Sequence, residues 1–137
     1  MRYLGVDYGA KKTGLALSDE GGRMGFPHAI VATGPRLADE LVALIERAGV
    51  GAVVVGESRD LAGGDNAIAP AARALGAAIA LKADVPVYYE PEFYTSQQAR
   101  RAPEKEQKTR REAAREPVDA AAAALILTSY LEKQHGI

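Results

Sequence analysis

Arg2-Tyr-Leu-Gly-Val-Asp7 and Thr13-Gly-Leu-Ala-Leu-Ser18, joined by Tyr8-Gly-Ala-Lys-Lys12, are the stretch of sequence on which the fold turns. Both runs are short and β-prone, and the connection predicts an antiparallel hairpin with a loop longer than the tightest turns. A third strand is expected beside them over residues 26–31. Further along, Leu37, Leu41, Leu44, Ile45 and Ala48 recur at helical spacing over residues 36–48, and Gly49 follows as a C-terminal stop. Residues 52–56 form a near-continuous valine run of the kind found in strands buried on both faces. Pro70 can occupy the first turn of a helix that continues to about residue 82. A fifth strand is expected over residues 86–90, then a polar, basic segment over 95–116, then an Ala-rich, well-buried helix over 118–132.

Strands separated by helices lie parallel through right-handed crossovers, whereas the first three can form an antiparallel meander. The expected fold class is therefore α/β, a five-stranded mixed sheet flanked by helices, with the first strand near the middle. A chain of 137 residues, 47% hydrophobic and 26% charged, has the size and composition of one domain spanning 1–137. Its longest apolar runs, residues 120–127 and a glycine-interrupted one around 77–81, fall short of the ~18 to 20 residues that span a bilayer. Asp7, Lys11 and Lys12 fall where a secretory signal needs its apolar centre. A cytoplasmic location and no membrane partner are expected.

The absence of cysteine excludes disulfides, thiolate metal sites and a cysteine nucleophile. Only His28 and His135 offer imidazole; one sits in an expected edge strand and the other near the terminus, and both are expected to be structural or solvated. Any metal must then be held by oxygen. The net charge of -1 conceals an uneven distribution: residues 100–115 hold seven basic side chains against three acidic ones. A basic stretch of this kind suits either a polyanionic partner or a solvated, salt-paired surface.

Four carboxylates stand where chemistry is expected. Asp7 ends the first strand beside Gly9, a setting that suits a metal or a phosphate and equally an Asx-type turn. Glu57 follows the valine strand, and Glu92 follows the fifth, where Pro91 is expected to end strand pairing and stiffen the exit. Asp119 opens the last helix, where an acidic residue also complements the helix dipole. Ligands of open α/β sheets gather outside the carboxyl ends of the parallel strands, and so many acids at one place repel unless cations neutralise them. Two divalent ions about 3.5 to 4 Å apart would supply that neutralisation and the activation needed for phosphodiester cleavage. The hairpin alone also fits nucleotide binding of the actin-like kind.

In combination, Leu4 to Asp19, Val54-Val-Gly-Glu57, Glu92 with Thr95-Ser96 and Ala99-Arg100, and Val118-Asp119 ahead of Ser129-Tyr130-Leu131 resemble the YqgF/RuvX family. This is a single-domain branch of the ribonuclease H-like nucleases related to the Holliday-junction resolvase RuvC. The resemblance implies an RNase H-like fold, Mg²⁺- or Mn²⁺-dependent nuclease chemistry, and a site carried by Asp7, Glu92 and Asp119. Two blocks depart from the family's usual pattern: Pro91-Glu92-Phe93 stands for Asp-Glu-Arg, and Gly56-Glu57-Ser58 for Gly-Leu-Pro. Glu57 occupies a strand end where RuvC-like resolvases carry a metal-binding glutamate, so it is expected as an additional or substitute ligand.

Lys11, Lys12, Arg100, Arg101, Lys105, Lys108, Arg110 and Arg111 are then expected to hold backbone phosphates, and Phe93 and Tyr94 to stack on bases or to pack. The expected activity is hydrolysis of phosphodiester bonds, in precursor 16S rRNA or in branched recombination DNA, the latter requiring a homodimer for paired cuts. A non-catalytic RNA or ribosome-assembly binder and an actin-like nucleotide-binding module are the alternatives.

Overall fold

β1 (Arg2–Asp7) is the central strand of a five-stranded sheet of order β3-β2-β1-β4-β5. It pairs antiparallel with β2 (Lys12–Ser18), which pairs antiparallel with β3 (Gly25–Ala32). On its other side it pairs parallel with β4 (Val50–Arg59), which pairs parallel with β5 (Val87–Phe93). Helices α1 (Leu37–Ala48) and α2 (Ile68–Ala83) make the crossovers, and α3 (Pro117–Gln134) closes the fold. This computed structural model describes residues 1–59, 68–93 and 117–135. The basic segment over 95–116 lies outside them.

The elements form for the reasons legible in the chain. Gly49 ends α1 in the left-handed region at φ 69° and donates its N–H to Ile45 O, a conformation that costs a glycine little. Pro70 falls in the first turn of α2, where a missing N–H leaves no helical hydrogen bond unmade. Pro91 does not end strand pairing: β5 runs through it to Phe93, with Pro91 opposite Glu57. β5 is an edge strand, and an edge is where a sheet tolerates proline.

Strand alternation sends side chains to two cores. On one face Leu4, Val6, Leu15, Val53 and Val55 meet α1 and α2. On the other, Ala16 and Val54 meet Ala123, Ala124, Ile126, Leu127 and Leu131 of α3. The second face is lined by glycine where α3 crosses it. A Cβ on Gly5 would lie 2.9 Å from Leu127 Cβ and 3.0 Å from Ala123 O, and one on Gly25 would lie 2.9 Å from Leu127 Cβ. A Cβ on Gly56 would overlap the Ile126 side chain still more closely. Leu127 is fully buried in consequence, a contribution of ~1.5 to 3 kcal/mol for a side chain of its kind.

At the amino-terminal end of the strands Tyr130 stacks on Tyr88 at 5.4 Å and tilts against Tyr3 at 6.2 Å. Burial, and after it Tyr88, Tyr3 and Glu90, push the Tyr130 phenol above its ordinary value. The folded state therefore holds this proton more tightly than the unfolded chain. The resulting stability is present in full below the unfolded value of ~10 and is lost as pH rises through the folded one. Denaturant titrations between pH 8 and 11 are expected to show a steeper alkaline loss of stability in the wild type than in Tyr130→Phe.

Candidate active site

Asp7 is the last residue of β1 and is only partly exposed. It stands opposite Gly14 of β2 and one residue past the Val6–Val55 pair, which brings it alongside Gly56 of β4. The positions across the sheet from Asp7 on both flanking strands are glycines, and Ile126 of α3 lies over Gly56. Alternation from Gly5 puts Asp7 on the face covered by α3. The loop that follows is pinned: Thr33 Oγ1 donates to Gly9 O at 2.8 Å, Thr33 N to Lys11 O at 2.9 Å, and the Thr33 and Thr13 hydroxyls share a 2.7 Å hydrogen bond. Lys11 and Lys12 are thus held, exposed, at the mouth of this strand end.

Helix α3 runs antiparallel to β1. Tyr130 lies against Tyr3, and Ala123 and Leu127 lie against Gly5. One helical turn before Ala123 carries the backbone ~6 Å to position 119, and two strand residues after Gly5 carry it ~7 Å to Asp7. The two backbones therefore approach the same end of the sheet together. Glu92 is in β5, opposite Ser58. The side chains of Glu92, Phe93 and Asp119 lie outside the described set, as do Tyr94, Arg100, Arg101, Lys105, Lys108, Arg110 and Arg111.

Glu57 is placed differently. It shares the α2 face with Val53 and Val55, opposite to the face of Asp7, and its nearly buried carboxylate is ion-paired with Arg73 of α2. The sheet thus brings Asp7 and Glu57 to one end but to different sides.

Glu90 was not singled out by sequence. It is 4% exposed and accepts hydrogen bonds from Ser129 Oγ at 2.8 Å and Lys133 Nζ at 2.7 Å. It ties the carboxyl-terminal half of α3 to β5 while the other half reaches toward Asp7. The signal was present as an i, i+4 pair on the last helix facing an acid two residues before Glu92, but no motif marks it.

The donors available near Asp7 are oxygens. His28 lies on exposed β3, lining a cavity of about 290 Å³ against α1, and His135 bonds Gly22 O at 3.0 Å at the far end of α3. Among the described residues no cluster of three or more acidic, histidine or cysteine side chains is assembled for a metal. What the described part contributes is the Asp7 carboxylate, an oxygen donor suited to a hard cation, at the end of β1. Among the described residues no helix is long and apolar enough to cross a membrane.

Comparison with known proteins follows the same lines. The structure matches Thermus thermophilus RuvC in complex with Holliday junction substrate at TM-score 0.61 and 26% identity, over 99% of this chain and 97% of that one. It matches the fowlpox virus Holliday junction resolvase at TM-score 0.58 and 14% identity, over 97% and 99% of the two chains, a likeness of fold. The architecture is that of the RuvC-type, RNase H-like resolvases. Residues 1–133 match the model of the RuvX family, described as Holliday junction resolvase, and the chain belongs to that family. Proteins named "Putative pre-16S rRNA nuclease" are similar along the chain. One from Anaplasma marginale (strain St. Maries) is 35% identical over 98% of this chain and 87% of its own length. Another from Anaeromyxobacter sp. (strain Fw109-5) is 36% identical over 98% and 99%.

Glu90→Gln removes the charge that Lys133 and Ser129 address while preserving shape. It is expected to lower the unfolding free energy by ~1 to 2 kcal/mol, the scale of a charge-assisted hydrogen bond, as measured by urea titration.

Proposed function

We propose that the chain is a divalent-metal-dependent nuclease, one RNase H-like domain over residues 1–137, acting in the cytoplasm on precursor 16S rRNA. The observation that carries this is the meeting of two backbones at one sheet end: Asp7, flanked by Gly14 and Gly56, and the start of α3, where Asp119 stands. The RNA substrate is taken from the relatives at 35% and 36% identity over nearly the whole chain. Branched DNA is a second reading, favoured by the match to a RuvC bound to a Holliday junction. It requires a symmetric dimer for paired cuts.

Asp7, Glu92 and Asp119 would hold the ions, Mg²⁺ or Mn²⁺, because three carboxylates offer hard oxygen donors and need their mutual repulsion relieved. When bound, such ions polarise the phosphoryl oxygen and lower the pKa of water. The chain's own part is placement. The pinned loop presents Lys11 and Lys12 to the flanking phosphates. Arg100, Arg101, Lys108, Arg110 and Arg111 extend that phosphate-binding role. We place Glu57 outside the ion-holding set, since its carboxylate is engaged with Arg73 on the other face.

The test is cleavage of a precursor rRNA fragment and of a four-way junction with Mg²⁺ or Mn²⁺. Asp7→Asn is expected to lose about a thousandfold in rate, the equivalent of ~4 kcal/mol of transition-state stabilisation, with its circular dichroism unchanged. Glu92→Gln and Asp119→Asn should fall comparably and Glu57→Gln by less. Undiminished cutting by Asp7→Asn contradicts the proposal.

A further inference from the structure

The carboxyl end of the sheet has a second charged feature, on the α2 face. Glu57 is buried at the end of β4, with 10% of its side chain exposed, and its partner Arg73 projects from the second turn of α2 with 57% exposed. The Arg73 guanidinium also lies over the Tyr89 ring, 5.0 Å from its centroid, and the Tyr89 hydroxyl donates to the Arg73 backbone carbonyl at 3.5 Å. Tyr89 itself is seated by Gly76, whose missing side chain leaves room for the phenol. One edge of the guanidinium is therefore held by a carboxylate and one face by an aromatic ring.

Neutralising Glu57 requires only a cation. This arrangement does more, because it fixes the plane of a side chain that otherwise has many rotamers. A guanidinium has five N–H donors in a rigid fork, and more than half of this side chain still faces solvent. A planar, oriented, half-solvated fork suits the bidentate recognition of phosphate. Its location suits it too. The end of β4 and β5 is where ligands of parallel sheets gather, and Arg73 stands on the opposite side of Asp7 from the hairpin loop carrying Lys11 and Lys12.

We propose that Arg73 is a phosphate-binding residue for the nucleic-acid backbone, with Glu57 and Tyr89 as its positioning residues. The proposal rests on the nucleic-acid reading given above and extends it to a contact on the far side of the sheet end. A strand lying across the carboxyl ends of the strands would meet lysines on one flank and this arginine on the other.

The test is binding of a labelled single-stranded RNA oligonucleotide of mixed sequence, measured by fluorescence anisotropy in EDTA over a salt series, so that metal ligation does not enter. The variant is the neutral pair Glu57→Gln/Arg73→Gln, which leaves no buried charge unmatched and whose fold is checked by circular dichroism. It is expected to bind about tenfold more weakly, as for a lost charged hydrogen bond, with a log–log salt slope shallower by about 0.7, the release from one single-strand phosphate. Arg73→Lys should weaken binding without changing the slope, because it keeps the charge and loses the fork. Glu57→Gln, which keeps the arginine, should keep the slope. Wild-type affinity and slope in the folded double variant would overturn the proposal while leaving the nuclease reading intact. Should the double variant fail to fold, wild-type affinity in Arg73→Lys overturns it equally. A wild type that binds no RNA in EDTA overturns this proposal, whereas one that neither binds nor cuts with Mg²⁺ or Mn²⁺ overturns both.

Discussion

Helix α3 can lie close to β1 only because the strand positions it crosses most closely are glycines. With Gly5, Gly25 and Gly56 on that face, Leu127 and Ile126 descend to distances that a Cβ would forbid. Interiors packed this tightly do not deform gradually, so the axis of α3 is fixed by contact with the sheet rather than by its own weakly amphipathic sequence. The direction of the helix follows from that seating. Tyr130 falls beside Tyr3 and Ala123 beside Gly5, and the first turn is carried to the end of β1 where Asp7 stands. At its other end, Glu90 accepts hydrogen bonds from Ser129 and Lys133 and ties the helix to β5.

The sheet also sorts its acidic residues by parity. Asp7 shares the α3 face with Gly5, whereas Glu57 shares the α2 face with Val53 and Val55. Two carboxylates at the ends of adjacent strands are thereby given different surroundings: one with glycine on both sides, the other with an arginine that offsets its burial. A buried charge deprived of its partner is costly, which explains why Glu57 and Arg73 occur as a unit.

Much of the architecture could be read from the chain, because its signals are local. The hairpin from Arg2 to Ser18, the helical spacing of Leu37, Leu41, Leu44 and Ile45, and the glycine stop at Gly49 each depend on a few neighbouring residues. The mixed sheet with β1 in the middle followed from connection rules. What escaped depends on tertiary placement. Pro91 read as a strand terminator, but an edge position lets β5 continue through it. Glu57 was expected at the same sheet end as Asp7 and stands there, but a strand end identifies only the edge, and the register assigns it to the other face. Glu90, Ser129 and Lys133, like Glu57, Arg73 and Tyr89, are far apart in sequence and carry no motif, so their association emerges only in three dimensions.

In the proposed function Asp7 and Asp119 hold one cation together. Crystals grown with Mn²⁺ and measured at its absorption edge test this most directly. An anomalous peak is expected within ~2.0 to 2.3 Å of a carboxylate oxygen from each of these two residues, the contact distance of a hard divalent ion. A peak bound by neither, or the two carboxylates too distant to share it, would rule out a shared ion at this end of the sheet.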